Sequence, residues 1–415
     1  MSSTWLTTNQ VAQRLGVKPA TVYAYVSRGL LHRELGDDGR TSRFEPTQVD
    51  DLARRGRPRR DARRTGVVDV VLSTALTEIR DGELRYRGHD AVELVASSAF
   101  EDVAEMLWTG SLPERTRWRA PDADLLLARA VTGPLGTAAT PADRVRVATA
   151  AVASARPLRV DLRSGAVTEH ARSLLATLVD CLPDATGGAA ASTGTSSTRR
   201  AAADVARPAK LASRLWPKLA EVAPNPARVR ALDAALVLLA DHELASSTLA
   251  ARVAASTRSD PYDVVLAGLG AVSGPLHGGA SELAYRLVND AAERGAHAAV
   301  DEALRWHRHV PGFGHTVYRD GDPRATTLLA LLETVGSPAR RRVVDDLVEV
   351  GAGQDLAANV DLALAALLYV ADGPPDGGQC IFTVARVAGW VAHYLEELDQ
   401  RPLRFRARAV YAVGS

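Results

Sequence analysis

Two glycine-rich turns, each holding one histidine, constrain this chain more than any other feature. SGPLHGGAS, residues 273–281, sets His277 among Gly274, Gly278 and Gly279, and VPGFGHTVYRDGDPRA, residues 310–325, sets His315 beside Gly312 and Gly314. Glycine lets the backbone take positive φ and lets a ligand approach closely, so a histidine on such a turn can face a small substrate. Between the turns, ASELAYRLVNDAAERG reads as an amphipathic helix, with Ala284, Leu287, Val288 and Ala291 on one face and Gly295 as its stop.

Three more polar groups stand in apolar helical surroundings. ALDAALVLLADHELASSTLAARVAAST reads as one continuous helix in which His242 shares a side with Ala235, Leu238, Leu239, Ser246 and Leu249. A histidine on such a stripe is ordinarily a hydrogen-bonded core residue. ANVDLALAAL puts Asp361 where an apolar helix begins. There it is either a cap or first-turn carboxylate stabilised by the helix dipole, or a general base whose pKa burial raises and the helix end lowers. FTVARVAGWVAHYLEEL carries Arg386 one turn before Trp390 and in line with Tyr394, on the apolar face. Arginine is seldom buried without an anion, and a substrate carboxylate matches its guanidinium in a bidentate pair.

The 415 residues, 46% of them apolar, suffice for a large core, and 50 basic against 49 acidic side chains are ordinary for a soluble protein. Cys181 and Cys380 lie far apart without disulfide-like or metal-like spacing, which predicts a reduced, cytoplasmic protein. MSSTWLTTNQ lacks the apolar core of a signal peptide, and the apolar run Leu362 to Ala371 is about half of the ~20 residues that cross a bilayer, so no membrane segment is expected. His307 and His309 are closely spaced, but without a third clustered ligand they read as a polar helix end, and no metal is expected.

The first sixty residues differ in composition. Up to Arg64 there are 13 Lys and Arg against 7 Asp and Glu, so this stretch carries about +6 and the remainder about −5. Thr8 is read as the cap of a short helix ending at Gly16, and a second helix starts at Pro19 and stops at Gly29. LLHRELGDDGRTSRFEP, with a turn at Asp38-Gly39, makes a hairpin wing. The pattern resembles the winged helix-turn-helix of the MerR and excisionase families. That resemblance implies Lys18, Thr21, Tyr23 and Arg28 near phosphates or base edges of duplex DNA, and Arg40 and Arg43 of the wing on its backbone. A small accessory domain whose charge is merely solvated is the other reading. ARRGRPRRDARR, residues 53–64, reads as a charged linker, and residues 185–207, rich in Gly, Ser and Thr, as a mobile insertion.

From about Gly66 onward the chain resembles the citrate synthase family. PLHGGA, GFGHTVYRDGDPRA and ANVDLALAAL are similar to its three catalytic segments, in the family's order. The resemblance implies an all-α fold: a large helical domain over 61–276 and 373–415, a small one over 277–372, and the winged helix-turn-helix over 1–60 in front. It also implies condensation of an acyl-CoA with oxaloacetate, with acyl-CoA as substrate and no cofactor. His277, His315 and Asp361 would be catalytic, and His242, Arg324, Arg386 and Arg404 would bind the keto acid. Arg404, with Arg406 as the alternative, would reach a neighbouring subunit's site, so a homodimer is expected. The function expected from the resemblance is that of a citrate synthase using acetyl-CoA; 2-methylcitrate synthase using propionyl-CoA and a DNA-binding regulator with a synthase-like sensor are the alternatives.

Overall fold

The computed structural model describes residues 5–27, 30–36, 41–54, 70–185, 208–307, 309–318 and 321–406. They fall into two compact units, residues 1–73 and 74–415. Arg28, Gly29, the Asp38-Gly39 turn, Arg40, most of the charged stretch 53–64 and all but the first residue of the insertion 185–207 lie outside the described residues.

In the first unit, helices α1 (Thr8–Leu15), α2 (Pro19–Ser27) and α3 (Pro46–Arg54) accompany three short strands, β1 (Leu6–Thr7), β2 (Glu34–Leu35) and β3 (Ser42–Phe44). The sheet order is β1-β3-β2, with Glu34 opposite Arg43 and Leu35 opposite Ser42 in the antiparallel wing. Val11, Ala12, Val22, Tyr25, Leu31, Phe44, Val49 and Leu52 form its core. Thr7, not Thr8, caps α1: Gln10, three residues on, reaches back to the Thr7 amide at 2.8 Å, a reciprocal capping arrangement that Thr8 has no partner to make. Lys18 is exposed between α1 and α2, Thr21 is half-buried, and Tyr23 is exposed with its hydroxyl 3.4 Å from that of Thr8. Arg43 is half-buried in the wing.

The second unit opens with strands β4 (Thr77–Arg80), β5 (Glu83–Tyr86) and β6 (His89–Asp90). Asp81 and Gly82 both take positive φ, 53° and 82°, the conformation of a tight hairpin turn between β4 and β5. Helices follow in order: α4 (Ala91–Ser97), α5 (Phe100–Thr109), α6 (Asp122–Thr132), α7 (Pro141–Ser154), α8 (Ser164–Asp180), α9 (Leu211–Leu219), α10 (Pro226–Leu239), α11 (Ser246–Ser256), α12 (Pro261–Val272), α13 (Ala280–Arg294), α14 (Ala296–His307), α15 (Pro323–Leu331), α16 (Pro338–Ala352), α17 (Val360–Val370) and α18 (Gly377–Leu398).

Helix α18 is the axis of this unit. Every residue from Cys380 to Tyr394 is buried, as expected of a helix apolar all round, and α5, α8, α10, α11 and α12 pack around it. A second group centres on α17, which packs against α13 and α15, while α16 packs on α14. The two groups meet where α17 and α13 touch α18.

The stretch read as one long helix through His242 is broken. Helix α10 stops at Leu239, residues 240–245 are non-helical, and α11 starts at Ser246. Residues distant in sequence claim the carbonyls that would have continued it. The Tyr86 hydroxyl lies 3.1 Å from the carbonyls of Val237, Leu238 and Asp241, Arg386 Nε donates to Leu239 O at 3.0 Å, and the Gly389 amide donates to Ala240 O at 2.9 Å. His242 therefore sits on a strained link, next to Glu243 with φ of 49°, and not on a core-facing helical stripe.

Candidate active site

Six segments surround one cavity of about 450 Å³. The 240–245 link supplies His242, the turn before α13 supplies His277, and the turn after α14 supplies His315. The start of α15 supplies Arg324, the start of α17 supplies Asp361, and α18 supplies Arg386 with Phe382 beneath it. Six of the seven substrate-site residues named from the sequence thus line one space. Arg404 does not line it; its guanidinium is bound by the fully buried Glu397, at 2.6 Å through Nε and 2.5 Å through Nη2.

The His315 turn and the Asp361 helix are built as one piece. Gly314 N donates to Ala357 O at 2.7 Å, Asn359 N to Gly312 O at 2.9 Å, and Asn359 Nδ2 to Gly314 O at 2.9 Å. Gly312 has φ of 82°, and a Cβ there would stand 2.8 Å from Leu362 Cβ, so no other residue fits that join. Asn359 Oδ1 accepts the amides of Asp361 and Leu362 and so caps α17 itself. The Asp361 carboxylate is free of capping duty and faces the cavity.

Asp322 ties the same piece to Arg324. Its carboxylate takes Arg324 Nε at 2.9 Å and Nη2 at 2.8 Å, the Arg324 amide at 3.0 Å, and the Val360 amide at 3.0 Å. Both partners are almost fully buried. Asp322, Asn359, Ser247, Tyr318 and Phe382 were not singled out in the sequence; the Asp322-Pro323 pair at a helix start is the one available signal, and it points only to a cap.

Hydrogen bonds constrain the tautomers of the cavity histidines. His315 Nδ1 accepts the amides of Val317 at 3.0 Å and Tyr318 at 3.3 Å, which leaves the proton of the neutral ring on Nε2. Arg324 Nη2 lies 3.3 Å from that Nε2, so two donors converge and call for a shared acceptor. Ser247 Oγ receives the Trp390 indole N–H at 3.3 Å and lies 2.8 Å from His277 Nε2. A hydroxyl donates one hydrogen bond and accepts up to two, so Ser247 can give its proton to His277 Nε2; in that tautomer Nδ1–H is the ring's remaining donor. His242 Nε2 bonds the Tyr318 hydroxyl at 3.1 Å, and its ring stands edge-on to His315 at 5.4 Å.

The electrostatics follow from burial among cations. Burial first and Arg386 second push His277 down to about 4. Burial, Arg324, Arg386 and His315 hold His242 well below the usual imidazole range, and burial with Arg324 lowers His315 against the pull of Asp322. All three rings are neutral donors or acceptors at neutral pH. Burial pushes the Asp361 carboxyl up to about 6, with Arg324 opposing the rise, so at pH 7 it is ionised but basic enough to take a proton. Arg386 is fully buried over the Phe382 ring at 4.6 Å, and its Nη1 has no hydrogen-bond partner among the described residues. A buried guanidinium nitrogen facing a cavity without an acceptor is the signature of an anion site.

Known proteins are similar to this chain over most of its length. The family model described as "Citrate synthase, C-terminal domain" matches residues 66–408. The chain belongs to the citrate synthase family. A protein named 2-methylcitrate synthase 2 from Corynebacterium glutamicum is 30% identical over 370 residues, covering 82% of this chain and 92% of that protein. One named citrate synthase from Mycolicibacterium smegmatis is 31% identical over 354 residues, covering 80% and 91%. The crystal structure of citrate synthase from Pyrobaculum aerophilum superposes with a TM-score of 0.65 at 26% identity, over 83% of this chain and 91% of that one. A citrate synthase-type acyltransferase is therefore the class of this enzyme, and the mostly helical fold is that of the family. A second family model, "Helix-turn-helix domain", matches residues 5–57. Among the described residues no helix is long and apolar enough to cross a membrane, and no group of three or more His, Cys, Asp or Glu is placed to hold a metal ion.

Proposed function

We propose that the enzyme condenses acetyl-CoA with oxaloacetate and hydrolyses the resulting thioester to citrate and CoA. The observation that carries this reading is the convergence on one cavity of an ionised, proton-accepting Asp361, two neutral imidazole donors and the buried Arg386, whose Nη1 is unpaired among the described residues. Asp361 removes a proton from the carbon beside the thioester while His277 Nδ1–H donates to the thioester oxygen as it gains negative charge. His315 Nε2–H and Arg324 polarise the keto oxygen and a carboxylate of oxaloacetate, with His242 assisting. Arg386 holds the other carboxylate, so the carbonyl carbon is presented to the new nucleophile. Water then cleaves the thioester. A guanidinium from the C-terminal arm of a neighbouring subunit, Arg404 or Arg406, completes the clamp in a homodimer, and closure of a smaller helical lobe over the larger one excludes bulk water.

The names of the relatives support a second acyl group equally, and one methylene in a pocket is worth about 1–3 kcal/mol. Propionyl-CoA, giving 2-methylcitrate, is the alternative. A steady-state assay of CoA release with oxaloacetate and each acyl-CoA decides: kcat/KM for acetyl-CoA is expected to exceed that for propionyl-CoA, the reverse ratio assigns 2-methylcitrate synthase, and no release with either overturns the enzyme reading. For the first unit the proposed partner is duplex DNA, supported by the helix-turn-helix match and the positive charge of that stretch. Two free, buried cysteines fit a reduced, cytoplasmic setting.

A further inference from the structure

The fully buried charges in and behind the cavity are matched in pairs, with one exception of each sign. Arg324 holds Asp322 and Arg252 holds Glu397. Asp241 and Arg386, also fully buried, have no permanently charged partner within ion-pair distance among the described residues. Asp241 Oδ2 accepts Thr77 Oγ1 and, at 3.1 Å, His393 Nε2. His393 Nδ1 lies 2.9 Å from Arg252 Nη1, which can only donate, so that nitrogen carries no proton and the ring is neutral. Both donors on Asp241 are thus uncharged, and its Oδ1 has no hydrogen-bond partner among the described residues. Arg386 is its counterpart: Nε donates to a carbonyl, Leu239 O, and Nη1 is unpaired.

The two charges flank one join. Arg386 holds Leu239, two residues before Asp241, and Gly389 follows Arg386 by about one helical turn. A Cβ on Gly389 would stand 2.4 Å from Asp241 Oδ1. Opposite charges so placed, with water excluded, attract without touching. Burial would raise the Asp241 carboxyl, but His393, Arg386 and Thr77 outweigh it and hold the group below the usual carboxylate range. Burial likewise weakens the hold of Arg386 on its proton, and Asp241 leads the groups that oppose this. A direct pair would occupy guanidinium nitrogens; a carboxylate set one layer back balances the charge and leaves Nη1 to a ligand.

We propose that Asp241 is a positioning residue that acts through Arg386, a non-contacting counter-charge that keeps the guanidinium buried and in place while the site is empty. The inference rests on the reading of Arg386 as the clamp for a carboxylate of oxaloacetate. Once oxaloacetate is bound, its carboxylate balances Arg386 and Asp241 repels it. The group that steadies the empty site therefore weakens binding of the keto acid.

A double-mutant cycle on the full-length protein tests this, with Asp241→Asn, Arg386→Gln and both together. Asparagine keeps an acceptor for Thr77 and His393 and removes the charge. Without ligand, each single variant is expected to lower the thermal midpoint, and the double variant to lower it by less than the sum. Oxaloacetate binding is then measured by calorimetry without acyl-CoA. The Kd of Asp241→Asn is expected to be about tenfold tighter than wild type, with a larger midpoint rise at saturation. In steady state the KM for oxaloacetate falls with it, and the KM for acyl-CoA stays within about twofold. Replacing a residue that only holds the fold together would weaken oxaloacetate, so an unchanged or weaker Kd overturns the proposal, as do midpoint losses that add in full. If Asp241→Asn does not fold alone, the double variant is expected to fold, since it buries neither charge; its failure to fold overturns the proposal as well. If wild type gives no heat with oxaloacetate, the keto-acid reading of the cavity fails, while the ligand-free midpoint cycle still decides whether Asp241 balances Arg386.

Discussion

Asp361 is the base of the proposed reaction, and the burial that raises its carboxyl also costs stability. Its carboxyl rises from the ordinary aspartate range to about 6, so between about pH 4 and 6 the folded state binds more protons than the unfolded chain, and stability falls as pH rises through that window. Replacing it by Asn, which cannot ionise, is expected to raise the thermal midpoint of the second unit at pH 7, by on the order of 2 kcal/mol in stability after allowing for partial solvation. The same change is expected to lower kcat by about 10² to 10⁴-fold with little effect on the KM for oxaloacetate. In the wild type, kcat is expected to fall as pH drops through about 6; a profile flat from pH 5 to 8 would remove Asp361 as the base. The proposed role of this residue is half-legible in the sequence. Its place at the head of an apolar helix was plain, but capping and proton transfer looked alike until Asn359 was seen to hold both amides. Asp322 shows the opposite: its capping signal was readable, and its grip on Arg324 and Val360 was not, because Val360 comes 38 residues later.

At the scale of elements, local pattern predicted what local forces decide. Helix α13 has the expected buried face of Ala284, Leu287, Val288 and Ala291 and stops at Gly295, and the Asp81-Gly82 hairpin has the expected turn. The break at 240–245 was not legible, because a helical period runs through it without a proline or glycine. What ends α10 is competition for its last carbonyls from Tyr86, Arg386 and Gly389. Gly389 is the tightest of these contacts, since a Cβ there would stand 2.4 Å from Asp241 Oδ1 and 2.5 Å from Ala240 O. Gly389→Ala is therefore expected to push α18 and the His242 link apart, costing about 1–3 kcal/mol of stability. It is also expected to raise the KM for oxaloacetate, as Arg386 on one side and His242 on the other lose register; thermal unfolding with steady-state kinetics reads both. An unchanged KM at a lowered midpoint would mean that the link tolerates the shift and His242 does not help hold the keto acid.

The whole molecule joins two units of unlike character, and their chemistry divides at the same place as their folds. The described residues that line the cavity all lie in residues 74–415. The net positive charge lies instead at the other end of the chain, about +6 up to Arg64 against about −5 beyond it. A protein that neutralises phosphates releases their counterions, so binding through the first unit weakens steeply with salt, whereas turnover in a buried cavity does not depend on that charge. Removing residues 1–73 is thus expected to leave kcat and both KM values within about twofold and to abolish duplex DNA binding that, in the full chain, drops at least tenfold between 50 and 200 mM salt. Equal DNA retention by the truncated protein would reduce the helix-turn-helix to an accessory domain with a solvated surface. A large change in KM on truncation would instead require the first unit to act on the cavity.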